Sequence, residues 1–246
     1  MTTTAVRLAT RIPTAPVAFG IPARFGSRAP SVARQAEAGG SAAPGVTMTL
    51  PKGGFVFEQG DASEGYYKVL SGAVRLCRLL PDGRRHVADF VVGGEIFGFE
   101  HRTVQGYTAE AITDATVARF PTGSLEFAMA GDPALGRTLL ATACSALAAA
   151  HEQLLVLGRM SAAERVAVFL LRMARRTGHQ DEARPTIHLF MSRADIADHL
   201  GLTPETVCRT LTAFRREGLV ALEAPSRIVL LQPAALRELT AVATTF

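Results

Sequence analysis

The run SRADIADHLGLTPETVCRTLTAFRREGLV, Ser192 to Val220, constrains the fold of this chain more than any other stretch. Ser192 and Asp195 stand three apart, the spacing of a capping box that opens a helix. Ala194, Ile196, Ala197 and Leu200 then supply one apolar face. Gly201 ends that helix where a left-handed backbone is required. Leu202 fills the turn, Thr203 caps a second helix, and Pro204 takes its first position, where a missing N–H is no loss. Val207, Leu211 and Phe214 form the buried stripe of the second helix. Two short helices closed by a single glycine turn predict a helix-turn-helix. LVALEAPSRIVLL, Leu219–Leu231, follows as strand, tight turn and strand, the pattern of a wing.

The outward face of the second helix carries Glu205, Cys208, Arg209 and Thr212 near its N-terminus, the end that such a motif inserts into the major groove. Arg209 can donate two hydrogen bonds to the O6 and N7 of guanine, and Glu205 can accept from the N4 of cytosine. Cys208 lies between them. These three are the candidate base contacts. Ser192, Arg193, Thr203, Thr206, Thr212, Arg215, Arg216 and Arg227 are candidate contacts to the phosphate backbone, which give affinity without sequence information. Cys208 is also a candidate redox switch. It lies one turn from a helix N-terminus and beside Arg209, both of which favour thiolate. The plainer alternative is a serine-like contact with no regulatory role.

Charge permits a DNA partner without demanding one: the net is +4 over 246 residues. The bases are nearly all arginine, Lys52 and Lys68 being the only lysines, which suits phosphate and guanine but also follows from codon bias. Three widely spaced cysteines, Cys77, Cys144 and Cys208, argue against a disulfide framework and for a reducing, cytoplasmic setting. No CxxC pair suggests a zinc or iron–sulfur site, so no cofactor is expected. No apolar run is long enough to span a bilayer, and no membrane partner is expected. There is no P-loop, no GxGxxG after a strand, no HExxH and no GxSxG, so the residues give no reason to expect an enzyme.

The chain divides by composition into four parts. Residues 1–46 carry five arginines before the first acid, Glu37, and are rich in Ala, Pro, Gly, Thr and Ser. They read as a disordered arm, although an organelle transit peptide has a similar composition. Residues 47–132 alternate short apolar runs with glycine-rich punctuation, including a hairpin turn at Pro81–Arg84, and predict an antiparallel barrel or jelly roll. Residues 133–158 predict a long helix broken by GRMS, Gly158–Ser161. In it Leu140, Ala143, Leu147, Ala150, Leu154 and Leu157 recur at alternating steps of three and four, an a/d seam that predicts a homodimer. The competing reading is a helix buried on its own domain. Residues 159–246 restart with a capping box, Ser161 to Glu164, and a core stripe of Val166, Phe169, Leu170 and Met173, then run into the winged helix-turn-helix.

From about Met48 to Gln232 these features resemble the CRP/FNR family of bacterial transcription regulators, most closely its FixK branch in VLGRMSAAERVAVFLL and MSRADIADHLGLTPETV. The resemblance implies an α+β chain: an N-terminal β-roll of the cyclic-nucleotide-binding type, a long dimerisation helix and a C-terminal winged helix-turn-helix. It implies an activator that meets RNA polymerase and binds a palindrome of TTGA-type half-sites. FNR-like members read those with a Glu-x-x-Ser-Arg pattern, matched here by Glu205 and Arg209, with Cys208 in place of the serine. Three departures matter. No N-terminal cysteine cluster precedes Cys77, against an iron–sulfur centre. GGEIFGFE keeps Gly94, Glu95 and Glu100, but Tyr107 stands where cyclic-nucleotide binders carry an arginine for the phosphate. Without that cation a buried phosphate is poorly compensated. His86, His101, His151 and Cys77 lack the spacing of haem ligands. A ligand-gated sensor of haem, nitric oxide or a nucleotide is therefore the alternative; the first expectation is a regulator active without a small ligand, governed by abundance or modification.

Overall fold

The computed structural model describes residues 46–98, 103–121, 123, 133–177 and 184–241. The expected N-terminal arm lies outside them, apart from Val46, which already opens the first strand.

Eight short strands form the first unit: β1 (Val46–Leu50), β2 (Phe55–Phe57), β3 (Gly65–Ser71), β4 (Ala73–Leu79), β5 (Arg85–Val92), β6 (Ile96–Phe97), β7 (Thr108–Ala111) and β8 (Ala115–Pro121). They pair antiparallel in two four-stranded sheets, β1-β8-β3-β6 and β2-β7-β4-β5. Alternation along β3 turns Tyr67 and Val69 inward to meet Leu50, Phe57, Val74, Phe97 and Val117 between the sheets. The rings of Phe57 and Tyr67 lie 5.1 Å apart, and those of Tyr67 and Phe97 5.4 Å. Gly72 links β3 to β4 at φ 81°, where a Cβ would come within 2.3 Å of the Asp114 carbonyl oxygen. Only glycine fits both demands. β4 and β5 form the hairpin expected at Pro81–Arg84: Leu80 N–H donates to the Arg84 carbonyl at 2.8 Å, and Gly83 N–H to that of Leu80 at 2.9 Å.

Helix α1 (Pro133–Arg159) follows, 27 residues and about 40 Å long at 1.5 Å per residue. It runs one residue past Gly158, the first position of the predicted break Gly158–Ser161, because one glycine inside a helix costs only about 1 kcal/mol. The break comes at Met160–Ser161. There Ser161 N–H donates to Glu164 Oε2 at 2.6 Å and Glu164 N–H to Ser161 Oγ at 3.4 Å, which opens α2 (Ala162–Thr177). Arg165 ties the corner, donating to the carbonyls of Met160, Leu157 and Leu200 at 2.9–3.0 Å.

The last unit continues with β9 (Thr186–His188), α3 (Arg193–Leu200), α4 (Pro204–Arg216), β10 (Val220–Ala224), β11 (Arg227–Leu230) and α5 (Pro233–Ala241). The expected wing is β10 and β11. Two elements were not foreseen: α5, and β9, which pairs with β11 to complete a three-stranded sheet. Val166, Phe169, Leu170 and Met173 of α2 are buried in a cluster shared with α4, β9 and Leu236 of α5, and the same apolar cluster extends into the β-roll through Ala73, Cys77, Val87 and Phe90.

Candidate nucleic-acid interface

The turn between α3 and α4 is built from local bonds. Ser192 Oγ accepts from Asp195 N–H at 3.1 Å, and Asp195 Oδ2 accepts from Ser192 N–H at 3.1 Å and from its hydroxyl at 2.7 Å. Gly201 closes α3 at φ 61° and ψ 40°, in the left-handed region. Thr203 caps α4 from an extended backbone, its Oγ1 accepting from Thr206 N–H at 3.2 Å, with Pro204 at the first turn. Val207, Leu211 and Phe214 are buried on the α3 side. The helical period then leaves Glu205, Cys208, Arg209, Thr212, Arg215 and Arg216 together on the exposed side.

The candidate backbone contacts differ in how free they are. Arg215 and Arg216 are exposed at the C-terminal end of α4. Thr203 and Thr206 bond each other through their hydroxyls at 2.9 Å, and the Thr212 hydroxyl donates to the Cys208 carbonyl at 2.9 Å. Arg227 pairs with Glu223 across 2.9 Å at the exposed wing. Ser192 is committed to the cap. Arg193 is half-buried: one terminal nitrogen donates to the Pro225 carbonyl at 3.0 Å, fixing the wing to α3, and the other is buried without a hydrogen-bond partner among the described residues. Burial lowers the Arg193 pKa below the usual arginine range, and charge on the nearby Cys208 opposes that shift.

The inner face of α3 departs from its expected apolar pattern. Ala194 is exposed, while Asp195 and His199 are only 4% and 3% exposed. The reason is a second partner that sequence spacing does not reveal: α3 packs on the β-roll as well as on α4. Asp195 Oδ1 accepts from Arg75 at 2.5 Å and Arg85 at 2.8 Å; Arg85 also reaches Asp198 at 2.7 Å, and Arg75 reaches Glu110 at 2.6 Å. Burial pushes the Asp195 pKa up, but the bonds from Ser192 and the charges of Arg75 and Arg85 outweigh it and hold the carboxyl below the usual range. Behind it, Arg176 of α2 donates to Glu95 at 2.8 Å and 2.5 Å and to Asp89 at 2.9 Å. Glu95, noted for its place in the Gly-Glu segment, thus faces an arginine of the helical unit, and its Oε2 also accepts from Val92 N–H at 2.9 Å.

Cys77 is buried, whereas Cys144 and Cys208 are exposed. Among the described residues no cluster of His, Cys, Asp and Glu could hold a metal ion, and no helix is long and apolar enough to cross a membrane. His101 and Glu100 lie outside the described residues.

On α1, Leu140, Leu147 and Leu154 are 66%, 59% and 69% exposed, Ala143 and Ala150 are exposed, and Leu157 is half-buried. The predicted seam is thus an apolar stripe that the subunit does not cover with its own core.

Residues 164–239 match the model of the Crp-like helix-turn-helix domain, and residues 47–132 that of the cyclic nucleotide-binding domain. The nitrogen fixation regulation protein FixK of Rhizobium meliloti is 42% identical over 196 residues, 80% of this chain and 88% of its own. The chain belongs to the CRP/FNR family. It is a FixK-like member, a transcription regulator rather than an enzyme, with the α+β architecture of that group. The transcriptional activatory protein AadR of Rhodopseudomonas palustris is 35% identical over 72% of this chain and 74% of its own. The solved structure of FixK2 from Bradyrhizobium japonicum superposes with a TM-score of 0.73 at 37% identity, covering 79% of this chain and 96% of that one. In this CRP/FNR protein the arginines that join the two units, Arg75, Arg85 and Arg176, escaped sequence reasoning, as did Arg165 at the α1–α2 corner. Arg75 and Asp195 are 120 residues apart, and no local pattern links them.

Proposed function

We propose that this FixK-like regulator binds DNA as a homodimer at a palindrome of TTGA-type half-sites and activates transcription there. The observation that carries the reading is the shared exposure of Glu205, Cys208 and Arg209 on one face of α4, above a buried stripe of Val207, Leu211 and Phe214. Arg209 donates two bonds to guanine, a bidentate pair that discriminates by about 1–3 kcal/mol, and Glu205 accepts one from cytosine. Cys208 fills the place of a small polar contact between them. Arg215 and Arg216 take phosphates, and Arg227 does so after exchanging Glu223. Thr203, Thr206 and Thr212 approach the backbone with the lone pairs and N–H groups that their internal bonds leave over. Ser192 and Arg193 contribute by holding the cap and the wing.

The uncovered stripe of α1 supports a parallel pairing of two subunits along Leu140, Ala143, Leu147, Ala150, Leu154 and Leu157. That pairing places two α4 helices for half-sites about one helical turn apart. The division into an arm (1–46), β-roll (47–132), dimerisation helix (133–158) and DNA-binding unit (159–246) follows from the same reading, as do a cytoplasmic setting and contact with RNA polymerase. The engagement of Glu95 by Arg176, with Tyr107 in place of a phosphate-binding arginine, supports action without a cyclic nucleotide. Cys208 gives one route to control: oxidation by peroxide, two equivalents to sulfinate or three to sulfonate with each reduced to water, would set negative charge against phosphate.

Fluorescence anisotropy on a labelled duplex carrying the palindrome tests the reading, with salt stated. Binding should be tighter than to a scrambled duplex by three decades or more, a margin on the order of that for specific sites. Equal binding to both duplexes would overturn it.

A further inference from the structure

We propose that His199, at the junction of α3 and β5, is a proton-operated pin: neutral, it docks the winged helix on the β-roll; protonated, it loosens that dock. The ring is buried between the units. Its Nδ1 lies 3.0 Å from the Val87 carbonyl oxygen of β5, so a neutral ring with Nδ1–H donates across the seam. Its centroid stands 5.5 Å from that of Phe90, on β5, and 5.9 Å from that of Phe169, on α2. The backbone at the same residue is also held, since Gln153 of α1 donates to the His199 carbonyl at 3.2 Å. One residue therefore touches β5, α2 and α1.

Protonation would put a charge where the packing offers little to receive it. The charged and titratable groups that face the ring are Asp89 and His86 of β5 and Arg172 of α2. The Val87 carbonyl, which a protonated ring still bonds, and Asp89 favour the cation, but Asp89 is already bonded to Arg176 at 2.9 Å. Arg172 and His86 oppose it. Burial is the largest influence and lowers the ring pKa below the usual histidine range. An undocked, solvated His199 titrates near the ordinary value of about 6.5. Below that pH the undocked form takes the proton first, so acidification draws the equilibrium towards undocking, by at most about tenfold per pH unit for one proton per subunit. The flanking ion pairs do not compensate. Asp195 is held below the usual carboxylate range, so Arg75–Asp195 and Arg85–Asp195 stay charged across the pH window in which His199 changes.

The docked arrangement leaves the outer face of α4 open. On the function proposed above, docking holds the reading helix of each subunit at a fixed place, and loosening it raises the ordering cost of binding two half-sites.

Small-angle scattering of the full-length protein at pH 7.5, 6.5 and 5.5 tests the pin, together with an NMR titration of the His199 ring in wild type. We expect the radius of gyration to grow on acidification while the ring titrates below 6.5. His199→Gln, which keeps a donor and cannot titrate, should stay compact throughout, with His199→Phe as a second non-titrating variant and His86→Gln expanding like wild type. Size unchanged in wild type over this range, expansion in a folded His199 variant equal to that of wild type, or a ring that titrates at or above 6.5 in a compact molecule would each overturn the proposal. If neither variant folds, the wild-type scattering and titration decide. Operator affinity should fall from pH 6.5 to 5.5 by up to about tenfold per subunit, or about a hundredfold for a dimer on both half-sites. Expansion on acidification with no operator preference at any pH would sink the DNA reading and leave the pin standing.

Discussion

Truncating the α1 stripe tests whether it is an interface. Leu154 is 69% exposed in the isolated subunit. Fully burying a leucine side chain is worth about 1.5–3 kcal/mol, so covering this one yields about 1–2 kcal/mol. A symmetric seam contains it twice. Leu154→Ala should therefore weaken dimerisation by about 2–4 kcal/mol, or roughly 30- to 1,000-fold in the dissociation constant. Sedimentation velocity over a dilution series reads that constant. The fold of the separate subunit should be nearly indifferent, because most of the side chain already faces water there. Operator affinity should fall in step with the dimer population. A dimer constant unchanged by the substitution would refute the seam, and the case against it would be complete if the melting temperature fell instead.

Other expectations separate the roles of individual residues. Arg209→Ala should flatten preference at one guanine per half-site at a cost of about 1–3 kcal/mol, whereas Arg216→Ala should weaken every duplex alike and shallow the salt dependence; competition titrations at several salt concentrations distinguish the two. Peroxide should abolish operator binding by wild type and spare Cys208→Ser; equal loss in both would remove Cys208 as a switch. Gly201→Ala finds room, the nearest atoms to a new Cβ being 3.5 and 3.6 Å away, but at φ 61° it should cost about 1–2 kcal/mol of stability in a denaturant melt. The depressed carboxyl of Asp195 stabilises the native state fully above the unfolded pKa of about 3.9 and loses that contribution as pH falls through its lower native value. Asp195→Asn should be less stable at neutral pH and should lose less of its stability on acidification to pH 2.

Legibility followed the range of the interactions. The α3–α4 turn was readable because every bond that builds it is local: Ser192 to Asp195, Gly201 at the corner, Thr203 to Thr206. The β-roll was readable as a class from glycine punctuation, and the wing from a strand-turn-strand pattern. By contrast β9 is three residues long, too short for a periodic signal, and it exists because β11 offers an edge to pair with. The break after α1 was readable from Gly158–Ser161 and the Ser161–Glu164 cap, and the helix runs only one residue, Arg159, past its expected end. The largest gap was α3. Sequence spacing shows Asp195 only as the cap partner of Ser192 and gives His199 no role, since the arginines and carbonyl that meet them lie more than 100 positions away in sequence. Capping, period and turn chemistry reveal an element; they do not reveal which surface of another unit covers it.

The most direct test is selection of duplexes bound by purified protein from a random pool at moderate salt, with the mass of the complex measured in parallel. The account predicts enrichment of a two-fold symmetric sequence held by two subunits, with the guanine preference erased when Arg209 is alanine. An unenriched pool, or a single subunit on an asymmetric site, would contradict it.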